Sequence, residues 1–317
     1  MEKLDYIQAI DCLEGLKQLP NECIQCCVTS PPYYRLRDYG MDGQVGMEDT
    51  PEAYLERIGL IFDEVRRVLK NDGTLWLNLG DSYWGSDRHP IIKSKDLIGI
   101  PWAAAFALRE RGWWLRQDIV WSKKNCMPES ITDRCTRSHE YIFMLSKSAT
   151  YYYNAEAIKT DIKESSLERA KRARSDHNKY SQGVPGNRPQ AIHKPREPKK
   201  QDGHGIRHEG FNERWNKATE EGTAPVKVNR RSVWELSTKP FKESHFATFP
   251  IEIPRLCILA GSKEKDIILD PFSGAGTTAL VAASLGRHYV GFELNPRYVK
   301  IANGRLKNSL GLFYTGE

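Results

Sequence analysis

Residues 267–295 restrict the fold of this chain more than any other stretch. Ile267-Ile268-Leu269-Asp270 is a short apolar run rich in β-branched residues, and Pro271-Phe272-Ser273-Gly274-Ala275-Gly276 follows as a loop with two glycines. An Ala- and Leu-rich stretch from Thr277 to Leu285 comes next, and then Tyr289-Val290-Gly291-Phe292-Glu293 with Leu294-Asn295 beyond it. Strand, glycine loop, helix and a second strand ending in an acid make a βαβ unit, which belongs in a parallel sheet covered by helices on both faces. The two glycines let backbone approach a ligand closely. The acid lies seventeen residues after Gly276, where an acceptor for ribose hydroxyls belongs.

Read literally, Gly274-x-Gly276-x-x-Ala279 also satisfies a dinucleotide fingerprint. Asp270 separates the two readings. A carboxylate at the mouth of the loop repels a pyrophosphate, but it suits the ammonium and sulfonium of S-adenosylmethionine. No Gly-Lys-Ser/Thr follows, which excludes a P-loop. The loop reads as a site for a methyl donor.

A second constrained segment lies near the start. Ile24-Gln25-Cys26-Cys27-Val28 has the composition of a buried strand, and Thr29-Ser30-Pro31-Pro32-Tyr33-Tyr34 ends it. Neither proline can donate to a ladder and both fix φ, so the chain leaves the strand as a rigid elbow. The elbow carries a hydroxyl, free carbonyls and two aromatic rings at the strand edge where α/β sheets bind ligands. A stiff pair of acceptors beside a stacking ring suits a planar base with an exocyclic amino group. Taken alone, the segment reads equally well as a plain Pro-Pro turn.

Between these segments the pattern alternates. Thr50-Pro51 has the chemistry of a helix start, and Tyr54, Leu55, Ile58, Ile61, Phe62, Val65, Val68 and Leu69 recur at helical spacing. Asn71-Asp72-Gly73 predicts the helix stop and Thr74–Leu79 a strand. A helix over Pro101–Arg111 and strands over Gln117–Trp121 and Tyr141–Leu145 complete a doubly wound, mostly parallel α/β sheet of Rossmann type.

With Ser30-Pro31-Pro32-Tyr33 ahead of Asp270-Pro271-Phe272-Ser273-Gly274-Ala275-Gly276-Thr277-Thr278, the chain resembles the amino-methylating DNA methyltransferases in their β arrangement. In that family the catalytic tetrapeptide is Asp/Asn/Ser-Pro-Pro-Tyr/Phe/Trp, and it precedes the cofactor motif Asp-Pro-Phe-x-Gly-x-Gly-Thr-Thr. The resemblance extends to Asp11-Cys12-Leu13-Glu14, Leu19-Pro20, Trp121-Ser122-Lys123, Ser138-His139-Glu140-Tyr141-Ile142-Phe143 and His245-Phe246-Ala247-Thr248-Phe249-Pro250. It covers most of 1–155 and 241–317, in order. It implies an S-adenosylmethionine-dependent methyltransferase fold with permuted motif order.

The resemblance also implies roles. Ser30 Oγ and the Pro31 carbonyl would accept the two hydrogens of a flipped base's amine; Pro32 stiffens the elbow and Tyr33 stacks on the base. Asp270, Pro271, Phe272, Gly274, Gly276, Thr277 and Thr278 would form the floor beneath the donor's methionine end, with Phe246 and Thr248 closing over it. Glu293, with Asn295 beside it, would accept from the ribose hydroxyls, and Asp11 would face the adenine amine; as a plain helix cap Asp11 has an alternative reading. In this family Ser before Pro-Pro usually accompanies N4-cytosine, and Asp or Asn usually accompanies N6-adenine. N4-cytosine in duplex DNA is therefore the expected target, with N6-adenine as the alternative.

Charge locates a third region. Lys159–Arg231 holds 18 Lys or Arg against 10 Asp or Glu, an excess of eight, while the whole chain is only +6. This segment is rich in Gly, Pro, Asn and Gln, which reads either as a solvated insertion or as a nucleic-acid arm. Family resemblance places target recognition in this interval. The expected organisation is a catalytic half at 1–158, a basic insertion at 159–240 and a donor-binding half at 241–317. Lys171, Arg172, Arg174, Arg230 and Arg231 are the expected phosphate contacts.

Composition excludes several classes. With 39% hydrophobic residues no run approaches a membrane span, and Met1-Glu2-Lys3-Leu4-Asp5 has no signal-peptide pattern, so a cytoplasmic protein is expected; the resemblance implies a prokaryotic or phage-encoded one. The seven cysteines are scattered, and Cys23, Cys26 and Cys27 lack a partner pair at finger spacing; no metal is expected. No cysteine follows a proline in the order needed for covalent attack on a cytosine ring. A cognate restriction endonuclease sharing the target site is a partner the resemblance admits. Rival readings are an RNA or protein-amide methyltransferase on the same fold, and a non-catalytic DNA-binding module.

Overall fold

The computed structural model describes residues 3–85, 89–161, 227–238 and 249–311. They divide into two compact units, Met1–Ile158 with Arg231–Glu317, and Lys159–Arg230. In the first unit the strands are β1 (Tyr6–Ala9), β2 (Ile24–Thr29), β3 (Leu69–Leu79), β4 (Trp114–Lys123) and β5 (His139–Ser146). In the second, β6 (Thr160–Asp161) pairs antiparallel with β7 (Lys227–Val228). The chain then returns to the first unit with β8 (Val233–Leu236), β9 (Ile267–Asp270) and β10 (His288–Glu293).

Strand order across the main sheet is β1-β10-β9-β2-β3-β5-β4-β8. Every neighbouring pair is parallel except for β5, which runs antiparallel to both β3 and β4. Among the described residues six helices cover it: α1 (Cys12–Lys17), α2 (Pro51–Val68), α3 (Ile100–Glu110), α4 (Glu252–Gly261), α5 (Thr277–Ser284) and α6 (Pro296–Leu310). Leu16, Ile58, Phe62, Val65 and Leu108 from α1–α3 share one core with Cys27, Leu75 and Leu77. Leu256, Val281, Ala302 and Leu306 from α4–α6 share another with Cys26, Val28 and Trp76. Successive residues of β2 and β3 thus enter opposite cores. Both faces are buried, which is why these strands read as unbroken apolar runs rather than as alternation.

Local chemistry sets the element ends. Thr50 Oγ1 accepts from Ala53 N at 3.1 Å and Pro51 occupies the first turn of α2, as the sequence predicts. The end of α2 differs from expectation. The helix closes at Val68, Leu69 is already extended, and Asn71-Asp72-Gly73 lies inside β3 rather than forming a stop. Gly73 serves a close approach instead. A methyl group there would stand 2.9 Å from the Lys70 carbonyl and 3.1 Å from that of Gln25, beside a register irregularity of the β2–β3 ladder.

The boundary of the insertion also differs. Val233–Leu236 belongs to the main sheet, pairing with Val120–Lys123, and the second unit ends at Arg230 rather than at 240. One buried side chain explains the return: Trp234 packs in the same core as Trp121 and Ile119. The three-residue apolar signal of that strand is too short to stand out from a basic segment.

Candidate active site

The crossover β9–α5–β10 travels across one face of the sheet towards β1, and β2–α2–β3 travels across the other face towards β8. Their starting strands are neighbours, so a crevice opens at their C-terminal ends. There Thr29 Oγ1 donates to Asp270 Oδ1 at 2.6 Å, and Phe272 N donates to the same oxygen at 3.1 Å. Ser273 Oγ donates to the Asp270 carbonyl at 2.9 Å, closing the turn. Burial pushes the Asp270 carboxyl up to about 6, against the lowering effect of its hydrogen bonds from Thr29, Thr278 and Phe272.

The glycine loop continues from this turn. Gly274 N donates to Glu293 Oε2 at 2.8 Å and Asn295 N to Oε1 at 2.9 Å, so Glu293 ties the loop to the end of β10. Burial raises the Glu293 carboxyl above the ordinary range, more than these backbone donors lower it. The two glycines do different things. Gly276, at φ 72°, packs so tightly that a methyl group would lie 2.8 Å from Ala302 Cβ; Gly274, at φ 50°, faces space with no atom within 4 Å. Thr278 Oγ1 donates to the Val28 carbonyl at 3.3 Å and so ties α5 to β2. Thr277 Oγ1 accepts from Arg305 at 3.2 Å.

On the other side of the crevice, Ser30 Oγ and Tyr33 Oη are 3.3 Å apart, and Tyr33 Oη donates to Glu140 Oε2 at 2.6 Å. Asn78 Nδ2 reaches Ser30 Oγ at 3.3 Å, Tyr33 Oη at 2.8 Å and Glu140 Oε2 at 3.0 Å. Lys123 Nζ donates to Glu140 Oε1. Burial, and next the charge of Glu140, push the Tyr33 phenol well above its ordinary value. Its ring lies against Gly80, where a methyl group would be 2.5 Å from the ring. Tyr54 Oη donates to the Pro32 carbonyl at 2.9 Å, which pins the elbow. Among the described residues no donor reaches the Pro31 carbonyl.

Both halves open into one cavity of about 360 Å³. Of the residues singled out in the sequence, Asp11, Ser30, Pro31, Pro32, Tyr33, Asp270, Pro271, Phe272, Gly274, Thr277, Glu293 and Asn295 line it. Gly276 and Thr278 stand behind the wall. Asp11 Oδ1 caps α1 by accepting from Leu13 N at 2.8 Å, and Asn295 Oδ1 caps α6 by accepting from Arg297 N at 3.0 Å, so each residue does structural work while facing the cavity. Phe246, Thr248, Lys171, Arg172 and Arg174 lie outside the described residues. Arg230 closes the second unit, and Arg231 is exposed at the start of the return, its carbonyl accepting from Trp234 Nε1 at 3.1 Å.

Sequence reasoning assigns no role to Asn78, Lys123 or Glu140, nor to Tyr39 and Tyr298, whose rings meet edge to face with centroids 6.4 Å apart at the cavity wall. A signal exists for the first three. Asn78 and Lys123 close β3 and β4, and Glu140 opens the antiparallel β5, so all three polar side chains fall on the edge that carries Ser30. Among the described residues no group of three or more His, Cys, Asp or Glu side chains is placed to hold a metal ion. Cys26, Cys27 and Cys257 are buried, and burial holds each thiol protonated. No helix among the described residues is long and apolar enough to cross a membrane.

This geometry agrees with what the chain resembles. Residues 24–304 match the N6/N4 DNA methylase family, and the chain belongs to that family. It is 42% identical to the type II methyltransferase M.Cfr9I of Citrobacter freundii, over 94% of this chain and 86% of that protein. With the type II methyltransferase M.SmaI of Serratia marcescens it shares 41% identity over 93% and 88%. The PvuII DNA methyltransferase, described as cytosine-N4-specific, superimposes with a TM-score of 0.63 at 16% identity, over 99% of this chain and 96% of that one. A putative DNA modification methylase of Thermus thermophilus crystallised with S-adenosyl-L-methionine gives 0.58 at 22% identity, over 97% and 95%. The fold is the Rossmann-like fold of the S-adenosylmethionine-dependent DNA methyltransferases.

Proposed function

We propose that this chain is a site-specific DNA methyltransferase that methylates the exocyclic N4 of cytosine in duplex DNA. The observation that carries the proposal is the single cavity joining the Ser30-Pro31 acceptors to the Asp270–Glu293 floor. The residues on the floor fit S-adenosylmethionine. Asp270 is an acid at a crevice that takes a cation, Gly274 leaves open ground beneath a ligand, and Glu293 stands at a strand end with carboxylate oxygens suited to ribose hydroxyls. Asp11 and the Tyr39–Tyr298 rings would hold the adenine. S-Adenosylmethionine supplies an electrophilic methyl group; the protein's residues prepare the nucleophile.

That nucleophile is poor, because the amine's lone pair is delocalised into the ring. Ser30 Oγ accepting one N–H and the Pro31 carbonyl the other would draw the nitrogen towards tetrahedral geometry. The Pro32 carbonyl is already committed to Tyr54, which leaves its neighbour for the base. Fixed acceptors of this kind cost no reorganisation as positive charge develops on the amine. The target atom is inaccessible in a stacked duplex, so the base must leave the helix.

Three features support DNA over RNA or protein and cytosine over adenine: relatives named as type II methyltransferases, the basic 159–231 segment, and serine at position 30. A hydroxyl avoids setting a carboxylate against the N3 lone pair of cytosine. The same relatives support a cognate restriction endonuclease and a cytoplasmic setting. Labelled methyl transfer to unmodified duplex DNA, followed by nucleoside analysis, tests the proposal. N4-methylcytosine is the expected product; N6-methyladenine without it would transfer the assignment to adenine, and no labelled base would refute both.

A further inference from the structure

As the methyl group arrives the base nitrogen comes to hold one proton too many, and a route that draws this proton away during the transfer lowers its barrier. The elbow alone offers no destination, since a serine hydroxyl is too weak a base to keep it and the Pro31 carbonyl weaker still. Hydrogen bonds distinguish the carboxylates on this side of the sheet. Asp270 receives Thr29 and Phe272 on the donor side. Asp81 is spent on the start of α3, where its oxygens accept from Gly99 N and Ile100 N at 3.0 Å. Glu140 is the one joined to Ser30, through the phenol of Tyr33.

We propose that Tyr33 and Glu140 form the route by which the surplus proton leaves the methylated amine. In this step the amine N–H bond breaks and its proton passes to Ser30 Oγ. The Ser30 hydroxyl proton passes to Tyr33 Oη, and the phenol proton to Glu140 Oε2. The base is left neutral, both hydroxyls are regenerated, and the carboxylate becomes a carboxylic acid that returns its proton to solvent in the next cycle. Asn78 Nδ2 bridges all three oxygens and fixes their spacing, and Lys123 holds the far oxygen of Glu140, keeping the carboxylate aimed. The inference rests on amino methylation as the reaction, and holds for either base.

Stacking and relay make different demands on Tyr33. For stacking, a phenylalanine is sufficient. A relay needs the hydroxyl, and the structure gives that hydroxyl a carboxylate acceptor at 2.6 Å and a high proton affinity, as a link that passes a proton without losing it requires. Glu140 and Asn78 are therefore positioning residues acting through Tyr33 and Ser30.

The experiment is single-turnover methyl transfer to unmodified duplex DNA by the full chain and its Tyr33→Phe, Glu140→Gln and Glu140→Asp variants. Affinities for donor and DNA, and rates in H₂O and D₂O, are measured alongside. Loss of one general-base route costs roughly 10²-fold or more. Tyr33→Phe and Glu140→Gln are expected to lose that much rate while both affinities stay within about threefold, Glu140→Asp to recover part of it, and the wild-type solvent isotope effect to vanish in Tyr33→Phe. A Tyr33→Phe enzyme within threefold of wild type, or one whose loss lies wholly in DNA affinity, overturns the relay. If Glu140→Gln does not fold, Tyr33→Phe decides alone, since it removes a single oxygen. A wild-type protein that methylates no base refutes the reaction itself, and the relay falls with it.

Discussion

Thr29 and Asp270 are 241 residues apart in the chain, yet a hydrogen bond of 2.6 Å joins their side chains at the ends of adjacent strands. Thr29 directly precedes Ser30, and Asp270 opens the glycine loop. The bond therefore connects the strand that leads to the Ser30-Pro31 elbow with the strand that leads to the glycine loop. Because Thr29 donates, the bond favours the ionised acid, whereas burial favours the neutral one; burial prevails and holds the carboxyl at about 6.

This balance gives Asp270 a pH signature. A carboxyl raised from 3.8 to about 6 in the folded protein binds its proton more tightly folded than unfolded. Its contribution to stability therefore falls as pH rises from about 4 to about 6 and is level above that. Asp270→Asn should raise the melting temperature at pH 7.5, relieving a cost of roughly 2–3 kcal/mol. Donor binding moves the opposite way. A cationic donor selects the ionised acid, so affinity should rise between pH 5 and 7, with Glu293 adding in the same direction, and the rise should largely disappear in Asp270→Asn. Calorimetric titration with S-adenosylmethionine across that range checks both; flat wild-type affinity would remove Asp270 from the donor site.

The glycines of the loop should separate by readout. Gly276→Ala must hold a left-handed φ of 72° and push against Ala302 Cβ at 2.8 Å, so it should destabilise the fold by about 2–4 kcal/mol. Gly274→Ala pays only the backbone term, about 1 kcal/mol, because its methyl enters open space. If that space is the proposed donor floor, Gly274→Ala should weaken S-adenosylmethionine more than it lowers the melting temperature. Thermal denaturation with donor titration distinguishes them, and equal melting shifts would show that Gly274 is structural too.

Glu293→Gln tests the loop from the opposite side. The acid accepts Gly274 N on one oxygen and Asn295 N on the other, and a glutamine has one oxygen for two donors. Turning its amide nitrogen towards either backbone N–H sets donor against donor. Donor affinity should fall at least about tenfold, the range expected when a buried donor loses its acceptor, with DNA affinity unchanged. Donor affinity within twofold of wild type would show that the ribose is held elsewhere.

The parts of the molecule legible in the sequence are those where one residue type has few uses. Two prolines after an apolar run can only end a strand, and two glycines before an Ala-rich helix can only open a βαβ loop. The end of α2 departs from expectation because Asn-Asp-Gly is stop chemistry in general, whereas here the glycine serves the close approach of β2 and β3 backbones. Val233–Leu236 reads as part of the insertion because a basic flank hides a strand that only tertiary packing of Trp234 explains. Glu140 and Lys123 stand in segments that resemble the family but carry no role on their own. What assembles them with Ser30 is sheet order, which brings β3, β5 and β4 side by side, and sheet order is not written in any one segment.

Ser30 closes the set, because its substitutions test chemistry and base preference together. Ser30→Ala removes an oxygen 3.3 Å from both Tyr33 Oη and Asn78 Nδ2, while the stronger Tyr33–Glu140 and Asn78–Tyr33 bonds remain to hold the elbow. The transfer rate should drop roughly 10²-fold, the size of losing one preorganised acceptor, and donor affinity should hold within about twofold. Ser30→Asp adds a carboxylate where Glu140 Oε2 already accepts from Asn78 Nδ2 at 3.0 Å. Two carboxylates sharing that donor disfavour joint ionisation. The variant should therefore be slow at pH 7 and gain rate as pH rises, a dependence absent in Ser30→Ala. On the cytosine proposal its product should still be N4-methylcytosine, since the ring pocket is otherwise unchanged. Nucleoside analysis of duplex DNA treated with Ser30→Asp checks this, and a switch to N6-methyladenine would show that the residue at position 30 itself chooses the base.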